Sequence, residues 1–294
     1  MLTGKSFAKI NLYLEITGKT PKGYHLLESL MAYLEIFDQI TFNKSDKLQL
    51  KISGENADIL NQNDQENIIL KAVNLLAQKY NFDPQIEISL IKNIPISAGL
   101  GGGSANAATI LLLLNDFYKL NLNSTELQKI GLILGSDVPF CLYKKIALVE
   151  GIGEKISPVK IPDQNLFALI VNPKKSLSTK NVFELFSEKY LDKISQNSSE
   201  KIIRNSLKNS SLIEVIKNRQ NHLEKAAMEI IPEVAEILKT LADQKNCQIS
   251  RMSGSGATCF GLFENSQDLD LAEENLQKIF PEFYIKKSRI IYQL

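Results

Sequence analysis

The run Pro95-Ile96-Ser97-Ala98-Gly99-Leu100-Gly101-Gly102-Gly103-Ser104-Ala105-Asn106 places four glycines within five residues, just ahead of a strongly apolar stretch. Glycine lets a backbone approach a ligand closely and aim successive N–H groups at an anion. A helix opening at Ser104 would add free amides and the positive end of its dipole, which suits a phosphate. No Gly-Lys-Ser/Thr closes the cluster, so it is not a P-loop, and Ser104 stands where the third glycine of GxGxxG would fall. A flexible turn capping a core helix is the plainer account; the long helix that follows favours the phosphate cradle.

Lys9 and Asn11 alternate with Ala8, Ile10 and Leu12, so they project from one face of a strand about 7 Å apart. Such a polar face is ordinarily solvated surface. Asp137 sits before Val138-Pro139 amid apolar sequence, which puts it at a turn or helix end, as a cap or as a base or metal ligand beside the phosphate loop. Tyr24-His25, after a Pro-Lys-Gly turn, could stack on and hydrogen-bond a nucleobase, although a loop histidine is commonly just exposed. Arg251-Met252-Ser253-Gly254-Ser255-Gly256-Ala257 is a second glycine turn, read by itself as a tight turn.

The elements that must hold these residues follow from periodicity. Residues 6–16, 48–52 and 86–90 alternate as half-buried strands, and 67–80 and about 104–118 have helical spacing. The stretch 144–165 turns to Lys, Gly, Pro and Asp, and a domain boundary is placed there. Beyond it, 166–171 reads as a buried strand and 187–221 as polar surface helices or loops. Residues 222–242 read as a helix kinked or split at Pro232, 257–263 as a strand, 268–280 as a helix and 284–292 as a last strand. Strands and helices mix without a βαβ rhythm, which favours α+β in two halves.

The 294 residues suffice for one large domain or two smaller ones and can bury a core without staples. Lys plus Arg is 34 and Asp plus Glu 33, so nothing suggests a partner such as nucleic acid or a membrane surface. Three scattered cysteines and two histidines, without CxxC, speak against a zinc site or disulfide framework. No stretch has the length of a signal peptide's core at the N-terminus or of a membrane span, so a cytoplasmic location is expected.

Taken together the motifs resemble the GHMP kinase superfamily, and within it the branch acting on 4-diphosphocytidyl-2-C-methyl-D-erythritol. The resemblance rests on Ala8-Lys9-Ile10-Asn11-Leu12 with Gly23-Tyr24-His25, on Pro95 to Ala108, on Gly135-Ser136-Asp137-Val138-Pro139-Phe140, on Gly151-Ile152-Gly153-Glu154, and on Arg251 to Ala257, in family order. It implies an α+β, two-domain GHMP kinase fold, with a ribosomal protein S5 domain 2-like N-terminal half, a ferredoxin-like C-terminal half and the active site in the cleft between. The domains would be 1–155, binding ATP, and 156–294.

The implied activity is ATP-dependent phosphorylation of the substrate's 2-hydroxyl, in the non-mevalonate isoprenoid pathway, with ATP as co-substrate and Mg²⁺ as cofactor; the metal ligands are not implied. Lys9 and Asp137 match the catalytic pair. Asn67, Lys92, Pro95, Ile96, Ser97, Ala98, Gly99, Leu100, Gly101, Gly102, Gly103, Ser104, Ala105 and Asn106 match the nucleotide site. Tyr24, His25 and Phe183 match a cytosine clamp, and Asn11, Thr179 and Gly254 lie with the substrate by the same analogy. A monomer or weak homodimer is expected. The alternatives are another GHMP small-molecule kinase, of homoserine or mevalonate type, and a non-catalytic nucleotide-binding regulator, which would be expected to have lost Lys9 or Asp137.

Overall fold

A computed structural model describes residues 1–57, 60, 67–96, 98–162, 164–193 and 210–294. Ser97 of the glycine loop lies outside them, as do residues 194–209 of the polar stretch expected from 187 to 221. The chain forms two compact units that interleave along the sequence: Met1–Lys9, Ile36–Ile96 and Gly101–Lys144 make one, and Ile10–Glu35, Ser97–Leu100 and Lys145–Leu294 the other.

In the first unit the second half of β2 (His25–Lys44) pairs antiparallel with β4 (Ile86–Ile91), with Ile40 opposite Leu90. β3 (Gln49–Ser53) runs parallel to β4, with Leu50 opposite Ile88. Among the described residues four helices belong here: α1 (Ile68–Tyr80), α2 (Gly102–Phe117), α3 (Ser124–Leu134) and α4 (Val138–Tyr143). α2 is apolar nearly all round, and a helix of that composition must be surrounded; residues Ala105 to Leu111 are all buried. Asn67 caps α1 by accepting from the Ile69 amide, and Asn123 with Glu126 forms a capping box on α3.

In the second unit the first half of β2 pairs with β5 (Ala147–Gly151), which turns back into β6 (Lys155–Pro158). β10 (Tyr284–Ile291) lies between β2 and β7 (Phe167–Asn172), followed by β9 (Cys259–Phe263) and β8 (Ile249–Met252), all antiparallel. Among the described residues the unit also holds α5 (Thr179–Lys189), α6 (Leu212–Ile216), α7 (Glu224–Ile230), α8 (Glu233–Ala242) and α9 (Ser266–Ile279). Its core joins Leu169, Val182, Phe186, Ile237, Leu241, Phe263 and Leu276. The split at Pro232 is observed, with α7 ending at Ile230 and α8 starting at Glu233.

The structure corrects several expectations. β1 (Leu2–Lys19) is not half-solvated: Lys9, Asn11 and Tyr13 are 3 %, 4 % and 0 % exposed. Its polar side chains are turned inward to partners, as where Tyr13 donates to Glu28 and Glu15 pairs with Arg219 at 2.9 Å. β2 escaped sequence reading because Glu28 to Leu34 are buried without a break, which removes the alternation. The stretch 144–165 opens where the chain passes from the first unit into the second and then forms the β5–β6 hairpin, whose Gly151 has φ +74° and whose Ile152 amide donates to Glu154 Oε2 at 2.6 Å. Among the described residues no helix is long and apolar enough to cross a membrane.

Candidate active site

α2 starts without a side-chain cap. Its N-cap, Gly101, is left-handed at φ 65°, and the first turn carries no acidic residue. The first helical bond runs from the Ala105 amide to Gly101 O at 2.8 Å, so the amides of Gly102, Gly103 and Ser104 have no partner one turn back. Gly101 must be glycine for a second reason: a Cβ there would stand 2.6 Å from Lys9 Cγ. The Lys9 stem therefore lies flat against the entrance of the helix.

At the other end of that stem, Lys9 Nζ is 3.0 Å from Asp137 Oδ2. Asp137 occupies the N-cap position of α4 yet makes no capping hydrogen bond. Capping is thus excluded as the reason for an aspartate here, and its carboxylate meets the ammonium instead. The Lys9 side chain is 4 % exposed and that of Asp137 33 %, so the acid faces an open side while the amine is buried. The turn leading to Asp137 passes close to the helix entrance, since a Cβ on Gly135 would lie 3.9 Å from Ser104 Oγ. One turn into α4, burial and the neighbouring Asp137 push the Cys141 thiol far up, which leaves it unreactive.

Lys92 is brought beneath the same helix start. Its ammonium donates to Asp38 Oδ2 at 2.6 Å and to Ile94 O at 2.7 Å, and a Cβ on Gly102 would be 3.1 Å from Nζ. Asp38 Oδ1 accepts the amides of Asn93 and Ile94 at 2.7 and 2.8 Å. Burial lowers the Lys92 pKa, against the opposing pull of Asp38. Asp38 was missed in the sequence, where an acid in a strand has no distinguishing signal. Asn106, 3 % exposed in α2, has an Oδ1 with no hydrogen-bond partner among the described residues.

Other expected residues lie in the second unit. Gly99 has φ +73°, and a Cβ there would meet Ser253 O at 2.2 Å. The Ser253 hydroxyl donates to Gly99 O at 2.9 Å and accepts the Asn11 amide at 3.2 Å, which ties the loop to β1. Asn11 Nδ2 donates to Ser29 Oγ at 2.8 Å. Gly254, at φ +59°, has its carbonyl held by Asn221 Nδ2 at 2.7 Å. Arg251 is buried and donates to the carbonyls of Leu12, Ile216 and Arg219, a structural use of its guanidinium.

His25 and Phe183 meet, with ring centroids 4.9 Å apart and planes tilted by 37°. Tyr24 beside them is 62 % exposed, an aromatic ring presented to solvent. Thr179 Oγ1 and Ser255 Oγ are 2.8 Å apart. Burial, aided by the charge of Lys19, holds the His25 imidazole below its usual pKa and therefore neutral at pH 7.

The chain matches the GHMP kinases N terminal domain over residues 67–145 and the GHMP kinases C terminal domain over 200–282. It is 37 % identical over 286 residues to a 4-diphosphocytidyl-2-C-methyl-D-erythritol kinase of Clostridioides difficile, covering 97 % of this chain and 94 % of that protein. Among solved structures, a 4-(cytidine 5'-diphospho)-2C-methyl-D-erythritol kinase superposes with TM-score 0.78 at 26 % identity, covering 98 % of this chain and 99 % of the other. A homoserine kinase from Cytophaga hutchinsonii shares the fold at TM-score 0.73 and 18 % identity, over 99 % of this chain and 95 % of that one. An identity above one third across nearly the whole chain goes beyond a shared fold, and the chain belongs to the 4-diphosphocytidyl-2-C-methyl-D-erythritol kinase family of the GHMP kinases.

Proposed function

We propose that this chain transfers the γ-phosphoryl group of ATP to the 2-hydroxyl of 4-diphosphocytidyl-2-C-methyl-D-erythritol, giving the 2-phosphate and ADP, in the non-mevalonate isoprenoid pathway. The observation that carries the reading is the Lys9–Asp137 pair at 3.0 Å, with the Lys9 stem packed against Gly101 at the uncapped start of α2. Free amides and a helix dipole attract phosphate oxygens, and a cation and a carboxylate stand beside them.

In this reading Asp137 accepts the proton of the attacking hydroxyl while its oxygen bonds to the γ-phosphorus and the bond to the β-phosphate oxygen breaks. Lys9, 3.0 Å from the carboxylate, holds it in place and steadies charge on the transferring group. Residues 95–105 wrap the phosphates, with Asn67, Lys92, Ser104 and Asn106 lining the nucleotide. Tyr24, His25 and Phe183 hold the cytosine, and Asn11, Thr179 and Gly254 the rest of the substrate.

Among the described residues no three His, Cys, Asp or Glu side chains gather to hold a metal. Mg²⁺ carried by phosphates needs only one or two protein oxygens, and the Ser104 hydroxyl at the helix entrance would fit that demand while Asp137 is kept for the proton. When bound, Mg²⁺ neutralises charge on the phosphates. The family matches at 67–145 and 200–282 support assigning 1–155 as the ATP-binding domain and 156–294 as the C-terminal domain. The reading has a cytoplasmic enzyme working on a small molecule, without nucleic acid, as a monomer or weak homodimer.

The test is ADP release with ATP and the cytidylyl substrate, run against homoserine and mevalonate. Turnover with the first alone is expected; turnover with either control and not with the cytidylyl substrate overturns the assignment.

A further inference from the structure

α5 carries Thr179, Phe183 and Ser187 at intervals of four, which places them along one stripe of the helix. Thr179 reaches Ser255, and Phe183 packs on His25. Ser187, the third member, has its Oγ 2.7 Å from His25 Nε2, while the Phe186 ring stands edge-on to the imidazole at 6.0 Å. We propose that Ser187 is a positioning residue that fixes the tautomer of His25, so that the clamp accepts a cytosine edge and rejects a uracil edge. The inference rests on the clamp reading given above.

A neutral imidazole has one N–H and one lone pair, so whichever nitrogen is engaged determines what the other offers. Among the described residues the Ser187 hydroxyl bonds His25 and no carbonyl of its own helix, the usual alternative for a helical serine. Donation from Oγ–H to Nε2 satisfies that half-buried hydroxyl; the reverse assignment leaves its hydrogen unbonded. Nδ1 then carries the proton and is a donor. Cytosine presents an acceptor at N3, whereas uracil presents an N–H there, so a fixed donor pairs with one and opposes the other. With Ser187 removed the ring can exchange tautomers and meet either base.

The experiment compares wild type, Ser187→Ala, Ser187→Thr and His25→Ala, using the cytidylyl substrate and its uridylyl analogue. Ser187→Ala is expected to cut the cytidylyl-over-uridylyl ratio of kcat/KM about tenfold, the worth of one hydrogen bond. KM for ATP and the melting midpoint stay unchanged, and Ser187→Thr restores the ratio. In ligand-free protein, ¹⁵N shifts of His25 should show one tautomer in wild type and a mixture in Ser187→Ala. An unchanged ratio, or one tautomer persisting in Ser187→Ala, overturns the proposal. An unchanged KM for the cytidylyl substrate in His25→Ala overturns the clamp reading itself, and the ¹⁵N result still reports on Ser187 separately.

Discussion

Lys9 Nζ lies 3.0 Å from Asp137 Oδ2, and the aspartate that heads α4 leaves that helix uncapped in order to meet it. An N-cap that forgoes its own helix gives up about 1 kcal/mol. That sacrifice points to chemistry rather than folding. Asp137→Ala should lower kcat about 10²–10⁴-fold, the usual contribution of a general base, while KM for ATP changes little. Near-wild-type turnover in the purified variant would show that another group takes the proton.

Gly101→Ala should act on Lys9. Its φ of +65° disfavours any side chain, and the new Cβ would press on Lys9 Cγ at 2.6 Å. The left-handed conformation alone costs about 1–2 kcal/mol. Displacement of the ammonium should reduce kcat more than a stability change of that size explains; steady-state kinetics alongside thermal melts separate the two.

Tyr24→Ala should raise KM for the cytidylyl substrate and leave the melting midpoint where it is. The ring is 62 % exposed and contributes little to the core. A lowered midpoint with an unaltered KM would assign Tyr24 to folding rather than to binding.

Asp38→Ala should destabilise the first unit by about 3–5 kcal/mol, the typical penalty for leaving a buried partner charge alone. Lys92 would keep one carbonyl but lose its carboxylate, and two loop amides would lose their acceptor. Denaturant unfolding monitored by far-UV dichroism measures the loss. A change below about 1 kcal/mol would place the pair nearer to solvent than its burial indicates.

Acidification should weaken the fold through His222. Its Nδ1 accepts the Ile16 amide at 2.9 Å, and burial, with Arg219 nearby, holds its pKa below the ordinary 6.5. The unfolded chain therefore binds the proton first as pH falls through about 6.5, and stability declines from there downward. His25 has the same sign. Glu15 and Glu224, with raised values, act oppositely nearer the carboxylate range. Melting midpoints between pH 7.5 and 5.5 should fall less steeply in His222→Gln than in wild type, and equal slopes would remove His222 from the account.

That Lys9, Asp137 and the glycine turn could carry chemistry was legible because they sit in short local patterns. Alternation marked β1, and a glycine cluster before an apolar run marked the start of α2. Burial of Lys9 and Asn11 was not legible, since whether a polar strand face meets water depends on which distant segments cover it. Glu28 to Leu34 of β2 show no alternation for the same reason, although the half of the strand beyond Glu35 does alternate. Asp38 is unremarkable until Lys92 lies against it, whereas Ser187 could have been found by extending the spacing from Thr179 and Phe183 one more turn.

Asn106 Oδ1, buried in α2 with no donor to meet it among the described residues, bears on how a chemist might approach this protein. An inhibitor scaffold that brings an N–H to that oxygen gains from relieving a dehydrated acceptor, over and above the new hydrogen bond. Matched compounds differing only by N–H and CH₂ at that point should separate in affinity more than surface hydrogen bonds ordinarily allow.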